Sequence, residues 1–429
     1  MNSEIQNLYT RYTKRGIIST DTRKILPGSI FFALKGEKFN ANEFADEALE
    51  KGAGYVVIDE ARFKKTDRHL LVSNVLETLQ GLARYHREQL KIPVIALTGS
   101  NGKTTSKELA NAVLSKKFRT YATKGNLNNH IGVPLTILAI DKSIEIAVVE
   151  MGANHVGEIA RLCRIANPTH GFITNIGKAH IGTFGGYENI IRGKSELYQH
   201  LLAHNGTVFV NSQNPLLVNL VKSFSHPVYY PAEGDYYRAE LIHADPMVSV
   251  QTDGGQTLQT QLIGGYNFEN IAAALCIGKY FGVDSKGANQ AIAEYVPGNM
   301  RSQILRKGNN TIILDAYNAN PSSMQAAIES LAAMRAENKV LILGDMFELE
   351  DEADKEHGAI GKLIREKGFT SVYLCGHLFK AALRELPKAK YFVKKDELIL
   401  ELKQFPISNA TILVKASRGI SLETIVEFL

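Results

Sequence analysis

A loop in the first quarter of the chain has residue types suited to binding phosphate. An apolar run at 94–98 precedes it, a helical pattern follows it, and the loop consists of Gly99, Ser100, Asn101, Gly102, Lys103, Thr104 and Thr105. Glycines let backbone amides approach an anion closely, and the start of a helix adds a positive dipole end. A lysine here neutralises β- and γ-phosphate charge, and the threonine after it supplies a hydroxyl ligand for Mg²⁺. The sequence therefore predicts a nucleoside-triphosphate site around Lys103 and Thr104.

The loop departs from the general phosphate-loop pattern at one position. Leu97 stands where the pattern G-x-x-x-x-G-K-[ST] has its first glycine. The alternative interpretation is a glycine-rich turn between strand and helix that binds no ligand. The strand, loop and helix context favours the phosphate interpretation, but the motif does not specify what is done with the nucleotide.

Three further side chains could take part in chemistry near this loop. Glu150 ends the apolar run 144–150, and His180 lies in a glycine-flanked loop after the run 171–176. The carboxyl ends of strands in an open sheet face the ligand crevice, so Glu150 is a candidate Mg²⁺ ligand and His180 a candidate site residue. Each also has an ordinary interpretation, a solvent-facing acid and a structural histidine. Lys194 lies in a helical pattern and by itself is indistinguishable from a surface lysine.

The elements that position these residues alternate between strand and helix. Periodicity predicts a small α/β unit with strands at 29–34 and 55–58 and a helix at 42–51. Further on, it predicts a largely parallel sheet and then a doubly wound open sheet. The predicted strands of these two sheets are 94–98, 144–150, 171–176 and 207–211, then 311–316, 340–344, 371–375 and 411–415, with a helix at 322–336 in the last part.

Two boundaries divide these elements into three predicted α/β domains. Pro93 follows a helical pattern at 75–89, and Pro297 follows a long Ala-rich helix predicted to begin near residue 270. Proline disfavours helix at the residue before it, so both positions are suitable boundaries. A chain of 429 residues also gives a prior of about three domains. The predicted domains are 1–88, 89–297 and 298–429.

Charge and cysteine content exclude several classes of protein. Lys and Arg number 49 against 44 Asp and Glu, and no block of like charges stands out. This balance suits small anionic ligands and does not require nucleic acid. The three cysteines are too few and too far apart for a disulfide framework or a cysteine metal cluster. With no signal-peptide pattern and no long apolar stretch, we expect a cytoplasmic protein without membrane insertion.

Several ordered motifs together resemble the Mur ligases, the ATP-dependent amide-forming enzymes of peptidoglycan precursor synthesis. The similarity extends over essentially the whole chain and is more specific than a phosphate loop alone. The motifs are residues 21–23 and 31–36, the phosphate loop, GNLNNHIGVP at 125–134, EMGAN at 150–154, Ala179-His180, DAYNANP at 315–321, GDM at 344–346 and KASR at 415–418.

The resemblance implies a role for each matching residue. Lys103 would hold the ATP phosphates, Thr104 and Glu150 would bind one Mg²⁺, and His180 a second. Lys194 matches a lysine that is carbamylated by CO₂ and then helps to hold the second Mg²⁺. The remaining implied residues are Asn267, Asn270, Arg301 and Asp315 for the nucleotide, with Arg301 at the γ-phosphate, Asp21, Thr22 and Arg23 for the uridine diphosphate, and Asn128 and Asn129 for the muramoyl-peptide channel.

The resemblance also implies the reaction and the use of each domain. The terminal carboxylate of UDP-N-acetylmuramoyl-tripeptide would be activated by ATP as an acyl phosphate, and the amine of D-alanyl-D-alanine would displace the phosphate. The N-terminal domain would bind the UDP-sugar, the central domain ATP, and the C-terminal Rossmann-like domain the dipeptide. We expect a monomer whose site closes between domains. Three departures from the family pattern are Tyr266 in place of a frequent histidine, Ala416 in place of a frequent glycine, and the turn at 211–215, which lacks the acids often found there.

Other functions fit parts of the pattern. A sister ligase that adds a single amino acid is disfavoured because the third domain has Tyr317-Asn318-Ala319-Asn320-Pro321 and no D-N-P-R segment. A nucleotide-dependent binding or switch protein would need the phosphate loop but no second substrate. A dinucleotide oxidoreductase is suggested only by the doubly wound domain, and no G-x-G-x-x-G follows a strand there.

Overall fold

The computed structural model describes residues 3–429, so the first two residues of the predicted N-terminal domain lie outside it. The N-terminal region contains a four-stranded parallel sheet in the order β1-β2-β5-β6 and a separate β3-β4 hairpin. Its helix α3 begins with the side chain of Asn74 accepting a hydrogen bond from the Glu77 amide, and α3 packs on two helices of the central region. The elements are α1 (Ser3–Arg15), β1 (Ile18–Ser19), β2 (Ile30–Phe32), β3 (Lys35–Gly36), β4 (Phe39–Asn40), α2 (Ala45–Glu50), β5 (Tyr55–Ile58), β6 (His69–Leu71) and α3 (Val75–Gln89).

The central region is built on a six-stranded sheet in the order β12-β11-β10-β7-β9-β8, in which every pair is parallel. Its middle strands are buried on both faces, as their continuous apolar runs require. The elements are β7 (Val94–Thr98), α4 (Lys103–Leu114), β8 (Thr120–Ala122), α5 (Gly132–Leu138), β9 (Ile146–Glu150), α6 (Glu158–Ala166), β10 (His170–Ile173), α7 (Ile181–Phe184), α8 (Tyr187–Ala203), β11 (Thr207–Asn211), α9 (Pro215–Leu220) and β12 (Val228–Tyr230).

Two predictions for the end of this region were incomplete. A small antiparallel sheet follows β12, and its strands are β13 (Glu240–Ala244), β14 (Met247–Gln251) and β15 (Thr257–Ile263). The long Ala-rich helix is two helices, α10 (Asn267–Tyr280) and α11 (Ser285–Glu294). The break occurs because Gly282 has a φ of +70° and the side chain of Asp284 caps the second helix at the Gly287 amide.

The C-terminal region contains a second six-stranded sheet in the order β16-β17-β21-β18-β19-β20. All its pairs are parallel except β16 with β17, which forms an antiparallel edge. The predicted α/β class with parallel sheets is therefore confirmed. The elements are β16 (Gln303–Lys307), β17 (Asn310–Leu314), α12 (Pro321–Ala333), β18 (Lys339–Gly344), α13 (Ala353–Glu366), β19 (Ser371–Cys375), β20 (Lys390–Phe392), α14 (Lys395–Gln404) and β21 (Thr411–Lys415).

Two strands of the central sheet are shorter than the sequence predicts. Strand β9 begins at Ile146 because the Ile144 amide closes a turn onto the Asp141 carbonyl. Strand β10 ends at Ile173, and the hydroxyl of Thr174 then donates to the Asn101 carbonyl of the phosphate loop at 2.6 Å. The chain after β10 thus leaves the sheet in order to support that loop. No helix among residues 3–429 is both long and apolar enough to cross a bilayer.

Candidate active site

A cleft of about 720 Å³ lies between the central and C-terminal regions. Side chains that line it come from the ends of β7 and β9, from the start of α10 and from loops of the C-terminal sheet. Most are polar, which suits a charged ligand. The predicted site residues that line the cleft are Ser100, Asn101, Gly102, Lys103, Thr104, Thr105, Asn128, Asn129, Glu150, His180, Asn267, Asn270, Arg301 and Asp315.

Glycine is required at two positions of the phosphate loop by close contacts. Gly102 has a φ of +77° immediately before α4, and a Cβ atom there would lie 2.5 Å from Asn270 Oδ1. A Cβ atom on Gly99 would lie 1.9 Å from Thr174 Oγ1. The loop therefore packs tightly against its neighbours and leaves backbone amides at the start of α4 for an anion.

Lys103 folds back over its own loop. Its Nζ donates to the carbonyl oxygens of Gly99 at 2.7 Å and Ser100 at 3.1 Å. Burial lowers the pKa of Lys103 to about 8, Glu150 acts in the opposite direction, and Arg301 adds to the lowering. The ammonium is thus placed at the loop, where incoming phosphate oxygens could replace the carbonyls as acceptors.

The carboxylate of Glu150 is buried at the end of β9, with 2% of the residue exposed. Its Oε1 accepts a hydrogen bond from Asn128 Nδ2 at 2.9 Å and a longer one from Thr104 Oγ1 at 3.4 Å. Its Oε2 is buried without a hydrogen-bond partner, and the nearest cation, Lys107 Nζ, is 3.8 Å away. A buried carboxylate oxygen without a partner beside a threonine hydroxyl suits a hard cation such as Mg²⁺.

No group of three or more His, Cys, Asp or Glu side chains among residues 3–429 forms a ready-made metal cluster. Mg²⁺ at nucleotide sites commonly takes one or two protein oxygens and completes its coordination with phosphate and water. Thr104 and Glu150 match that pattern.

His180 contacts the C-terminal region. Its backbone has a φ of +57°, and its Nδ1 lies 2.5 Å from Glu348 Oε2. Hydrogen bonding to His180 is the main cause that lowers the pKa of Glu348. The partner carboxylate was not predicted, because nothing in the local pattern around Glu348 links it to a loop so distant in the sequence.

Lys194 is a buried lysine and not the surface residue that its helical pattern allows. Only 1% of it is exposed, and its Nζ has one long hydrogen bond, to the Ala153 carbonyl at 3.4 Å. The ammonium also lies 5.4 Å from the centre of the Phe184 ring. Burial, reinforced by Lys103, places the pKa of Lys194 well below its ordinary value. Neither Lys194 nor Gly99 lines the cleft, although Ala153, whose carbonyl Lys194 contacts, does.

The two predicted nucleotide-site asparagines stand in the first turn of α10. Asn270 Nδ2 donates to Asn267 Oδ1 at 2.8 Å, and Asn270 Oδ1 accepts from Ser106 Oγ of α4 at 2.7 Å. The pair therefore fixes the start of α10 against the helix of the phosphate loop. Tyr266, just before them, hydrogen-bonds through its hydroxyl to Ser302 Oγ of the C-terminal region at 2.8 Å.

Arg301 and Asp315 reach the cleft from the C-terminal region. The Arg301 guanidinium stacks over the Tyr317 ring at 3.9 Å, and its Nε is buried without a hydrogen-bond partner. Asp315, just after β17, accepts from the Ser302 amide at 3.0 Å and pairs with Lys415 Nζ at 2.6 Å. Arg301 therefore has donor capacity left for an anion.

The predicted substrate residues occupy two separate places. Asn128 holds Glu150, and Asn129 Oδ1 accepts from the Gly132 amide at 2.8 Å at the start of α5. The segment Asp21, Thr22 and Arg23 forms a turn in the N-terminal region outside the cleft lining. There the Arg23 side chain is paired with the Asp21 carboxylate, which lowers the pKa of Asp21 to about 2.

One contact between the C-terminal region and the phosphate loop was not predicted from the sequence. Asn320 Nδ2 donates to Asn101 Oδ1 at 2.8 Å, while Asn320 also caps α12. The motif that contains Asn320 was recognisable, but its contact depends on how two regions dock.

A phosphate loop, a strand-end carboxylate and an arginine from a second region around one cleft define a nucleotide-dependent enzyme whose site is shared between domains. Two family models match the chain: Mur ligase middle domain over residues 97–278 and Mur ligase, glutamate ligase domain over residues 300–418. The chain belongs to the Mur ligase family and is a ligase.

Known relatives match over nearly the full length. The UDP-N-acetylmuramoyl-tripeptide--D-alanyl-D-alanine ligase of Bacillus subtilis is 35% identical over 96% of this chain and 92% of its own. A crystal structure of MurF from Acinetobacter baumannii superimposes with a TM-score of 0.86 at 33% identity, covering 96% and 92% of the two chains. MurF ligase from Thermotoga maritima, solved in complex with ADP, has a TM-score of 0.83 at 28% identity and covers 96% of each chain.

Proposed function

We propose that this chain joins D-alanyl-D-alanine to UDP-N-acetylmuramoyl-tripeptide with cleavage of ATP to ADP and phosphate, in peptidoglycan precursor synthesis. The names of the curated relatives at 30–35% identity support this substrate pair. The observation that carries the proposal is the shared cleft, in which Lys103 and Glu150 of the central region face Arg301 and Asp315 of the C-terminal region. Such a cleft suits a reaction that must keep water from an activated carboxylate.

The reaction would proceed in two steps. The terminal carboxylate of the tripeptide attacks the γ-phosphorus of ATP, and ADP leaves as the acyl phosphate forms. The dipeptide amine then attacks the acyl carbon, loses a proton and expels inorganic phosphate. Phosphoryl transfer depends mainly on positioning and charge stabilisation, so no serine or cysteine nucleophile is needed. Lys103 and Arg301, from opposite sides of the cleft, supply positive charge at the transferred group.

Two Mg²⁺ ions are part of the proposal. Thr104 Oγ1 and Glu150 would hold the first, and His180 and Lys194 the second. When bound, Mg²⁺ neutralises phosphate charge and orients the transferred group. Asn128 would keep Glu150 oriented through the hydrogen bond to its Oε1.

Lys194 would serve as a carbamate. Its lowered pKa favours the neutral amine, which attacks CO₂, forms an N–C bond and releases one proton. The product is an anion in place of a neutral amine, which would attract the Lys103 ammonium and supply oxygen ligands for Mg²⁺. The long, single hydrogen bond of Lys194 leaves its Nζ otherwise unoccupied.

The three regions would divide the substrates between them. Residues 1–88 would bind the UDP-sugar through Asp21, Thr22 and Arg23, residues 89–297 would bind ATP, and residues 298–429 the dipeptide. Asn128 and Asn129 would face the muramoyl peptide. We propose a cytoplasmic monomer that acts on small molecules.

The decisive experiment measures phosphate release from ATP and Mg²⁺ with UDP-N-acetylmuramoyl-tripeptide. D-alanyl-D-alanine is present, absent or replaced by single amino acids. We expect release to require both the nucleotide sugar and the dipeptide, with the amide product seen by mass spectrometry. Release with a single amino acid would identify a sister ligase. Release indifferent to every substrate would favour a nucleotide-dependent binding or switch protein.

A further inference from the structure

The loop that carries His180 is held by the C-terminal region at several points. We call residues 177–182 the histidine loop. The Lys178 amide donates to Ser322 Oγ at 3.0 Å, and Lys178 Nζ pairs with Glu356 Oε1 at 2.6 Å. His180 Nδ1 is 2.5 Å from Glu348 Oε2, and the Gly182 amide donates to the Glu348 carbonyl at 3.3 Å. Both ends of this short loop of the central region therefore contact the C-terminal region.

The glycines at the ends of this loop are explained by proximity to the C-terminal region. A Cβ atom on Gly177 would lie 2.7 Å from Ser322 Oγ. A Cβ atom on Gly182 would lie 2.5 Å from Glu350 Cγ and 2.8 Å from the backbone carbon of Leu349. Neither glycine has a positive φ, so backbone conformation does not require glycine at either position. The two surfaces therefore meet at a distance that excludes a side chain.

The segment of the C-terminal region that faces the histidine loop has unusual backbone conformations. Glu348 and Glu350 have φ values of +63° and +47°, a conformation that is unfavourable for residues with a Cβ atom. Such backbone persists where surrounding contacts impose it, and it clusters at functional sites. Here it presents the Glu348 side chain to His180 and the Glu348 carbonyl to Gly182.

Glu356 has a buried charge whose partner lies across the boundary. Only 3% of this residue of α13 is exposed, and its ion-pair partner is Lys178, whose own side chain is 48% exposed. A buried carboxylate without its counter-charge is strongly unfavourable. Glu356 therefore favours the arrangement in which the histidine loop is docked.

We propose that Glu356 and Glu348 are positioning residues that dock the histidine loop on the C-terminal region and thereby set His180 for a cation. Glu348 Oε2 lies 2.5 Å from His180 Nδ1, so the carboxylate occupies that side of the ring and Nε2 is the ring nitrogen able to bind a metal. Metal-binding histidines commonly have a carboxylate at their second ring nitrogen. The assignment rests on the proposed role of His180 in the function above. Its new content is that the carboxylates come from the other region.

The test uses Lys178→Met and Glu356→Gln in the full chain, because neither residue lines the cleft. Two variants serve as controls. Lys178→Arg keeps the positive charge, and Lys355→Gln changes another residue of α13 and removes its exposed ion pair with Glu352. The first readout is the rate of amide hydrogen exchange of residues 177–184, measured without ligands. The second is the Mg²⁺ concentration that gives half-maximal phosphate release.

We expect Lys178→Met and Glu356→Gln to raise the exchange rate and the half-maximal Mg²⁺ concentration by roughly five- to thirty-fold each, because a docking contact is lost. Lys178→Arg and Lys355→Gln should stay near the parent values. Thermal unfolding verifies folding, and if Glu356→Gln does not fold, Lys178→Met carries the test. Exchange and Mg²⁺ dependence equal to those of Lys355→Gln would overturn the proposal. Faster exchange with unchanged Mg²⁺ dependence would overturn the positioning of His180.

Failure of the proposed function has a different signature. In that case the parent chain itself releases no phosphate with the peptide nucleotide and the dipeptide, while the exchange experiment still reports on docking. An active parent with unresponsive variants would refute the positioning role alone.

Discussion

At the scale of single residues, Lys103 combines two properties that suit a phosphate ligand. Its Nζ is held by two carbonyl oxygens of its own loop, and its pKa of about 8 leaves it mostly protonated at neutral pH. A nucleotide phosphate would offer charged acceptors in place of neutral ones, and charge-assisted hydrogen bonds are the stronger kind.

The first prediction therefore concerns Lys103→Ala. We expect dipeptide-dependent phosphate release to fall by roughly 10²- to 10³-fold or more, because a cation at the transferred phosphate is lost. Circular dichroism and thermal unfolding should show a folded protein. Lys116→Ala, which removes an exposed lysine just after α4, is the control and should keep normal activity. Near-normal turnover of Lys103→Ala would contradict the phosphate-loop assignment.

Lys194→Ala provides the second prediction. Activity should fall by roughly 10²-fold, since a carbamate at Nζ would supply an anion to the site. Short carboxylic acids such as acetate or formate should restore part of the activity by occupying the space left by the side chain. Lys103→Ala is the matched control, because an added anion cannot replace a missing cation. Full activity of Lys194→Ala without added acid would show that the lysine has no role in turnover.

At the scale of elements, the residue that caps the start of α12 also contacts the phosphate loop in the cleft. Asn320 Oδ1 accepts from the Ser323 amide at 2.9 Å, and the Ser323 hydroxyl accepts from the Asn320 amide at 3.0 Å. This reciprocal capping satisfies two backbone donors at once. The same Asn320 side chain donates to Asn101 in the phosphate loop. One residue thus serves its own helix and a neighbouring region.

The third prediction separates these two roles of Asn320. Asn320→Ala should lower the free energy of unfolding by about 1 kcal/mol through loss of the cap, whereas Asn320→Asp should keep it near the parent value. Both variants lose the donor to Asn101, so both should raise the KM for ATP by roughly three- to ten-fold. Chemical denaturation and phosphate-release kinetics measure the two effects. Equal KM values for parent and Asn320→Asp would argue that the contact does not support the loop.

Local patterns predicted the elements well where one signal dominated. Helix α3 (Val75–Gln89) and strands β7, β11, β19 and β21 have the predicted bounds, because capping residues, prolines or clean apolar runs mark their ends. The antiparallel strands β13 to β15 were missed, since their exposed alternation lacks a long apolar run. The Ala-rich helix was predicted as continuous because its interruption depends on Gly282 and Asp284 within a helical pattern.

The residues of the candidate site also fall into those that local patterns or the family resemblance predicted and those that depend on long-range contacts. The edge-of-sheet argument placed Lys103 and Glu150 together, and the family resemblance added Arg301 and Asp315, all of which line one cleft. The partners Glu348, Asn320 and Lys415 had no assigned role, because their contacts arise only from docking and long-range packing. Burial of Lys194 was equally invisible, since a helical pattern does not show which face is covered.

At the scale of the whole molecule, histidines with lowered pKa values occur in all three regions, two of them buried and His170 partly buried. His86 of α3 donates from Nε2 to the Ile140 carbonyl and hydrogen-bonds through Nδ1 to the Tyr9 hydroxyl, and His357 of α13 accepts from the Met346 amide. His170 of β10 packs among Phe209, Tyr280 and Phe281. Burial lowers the pKa of each, to about 4 for His170. Protonation would therefore place charge inside each region.

The fourth prediction is a loss of stability in acid. The pKa of folded His170 lies below its ordinary value of 6.5, so the unfolded chain binds more protons between about pH 4 and 6.5. The free energy of unfolding should thus fall as pH decreases through that window. His170→Phe keeps an aromatic ring and removes both the titration and the hydrogen bond to Thr169 Oγ1. Its loss of unfolding free energy between pH 7 and pH 4 should therefore be smaller than that of the parent by about 2 kcal/mol. Urea denaturation across this range measures it, and parallel curves for parent and variant would refute it.

The bond between Asn320 and Asn101 joins two uncharged amides in the lining of the cleft. When such a bond breaks, water satisfies both groups and no charge is stranded, so its net free energy is small. The proposed reaction requires ADP to leave and the next nucleotide to enter, so contacts between the two regions at the phosphate loop would have to break in each cycle. The uncharged contact at the phosphate loop would break at low cost in free energy, whereas breaking the Lys178–Glu356 ion pair leaves a buried carboxylate without its counter-charge.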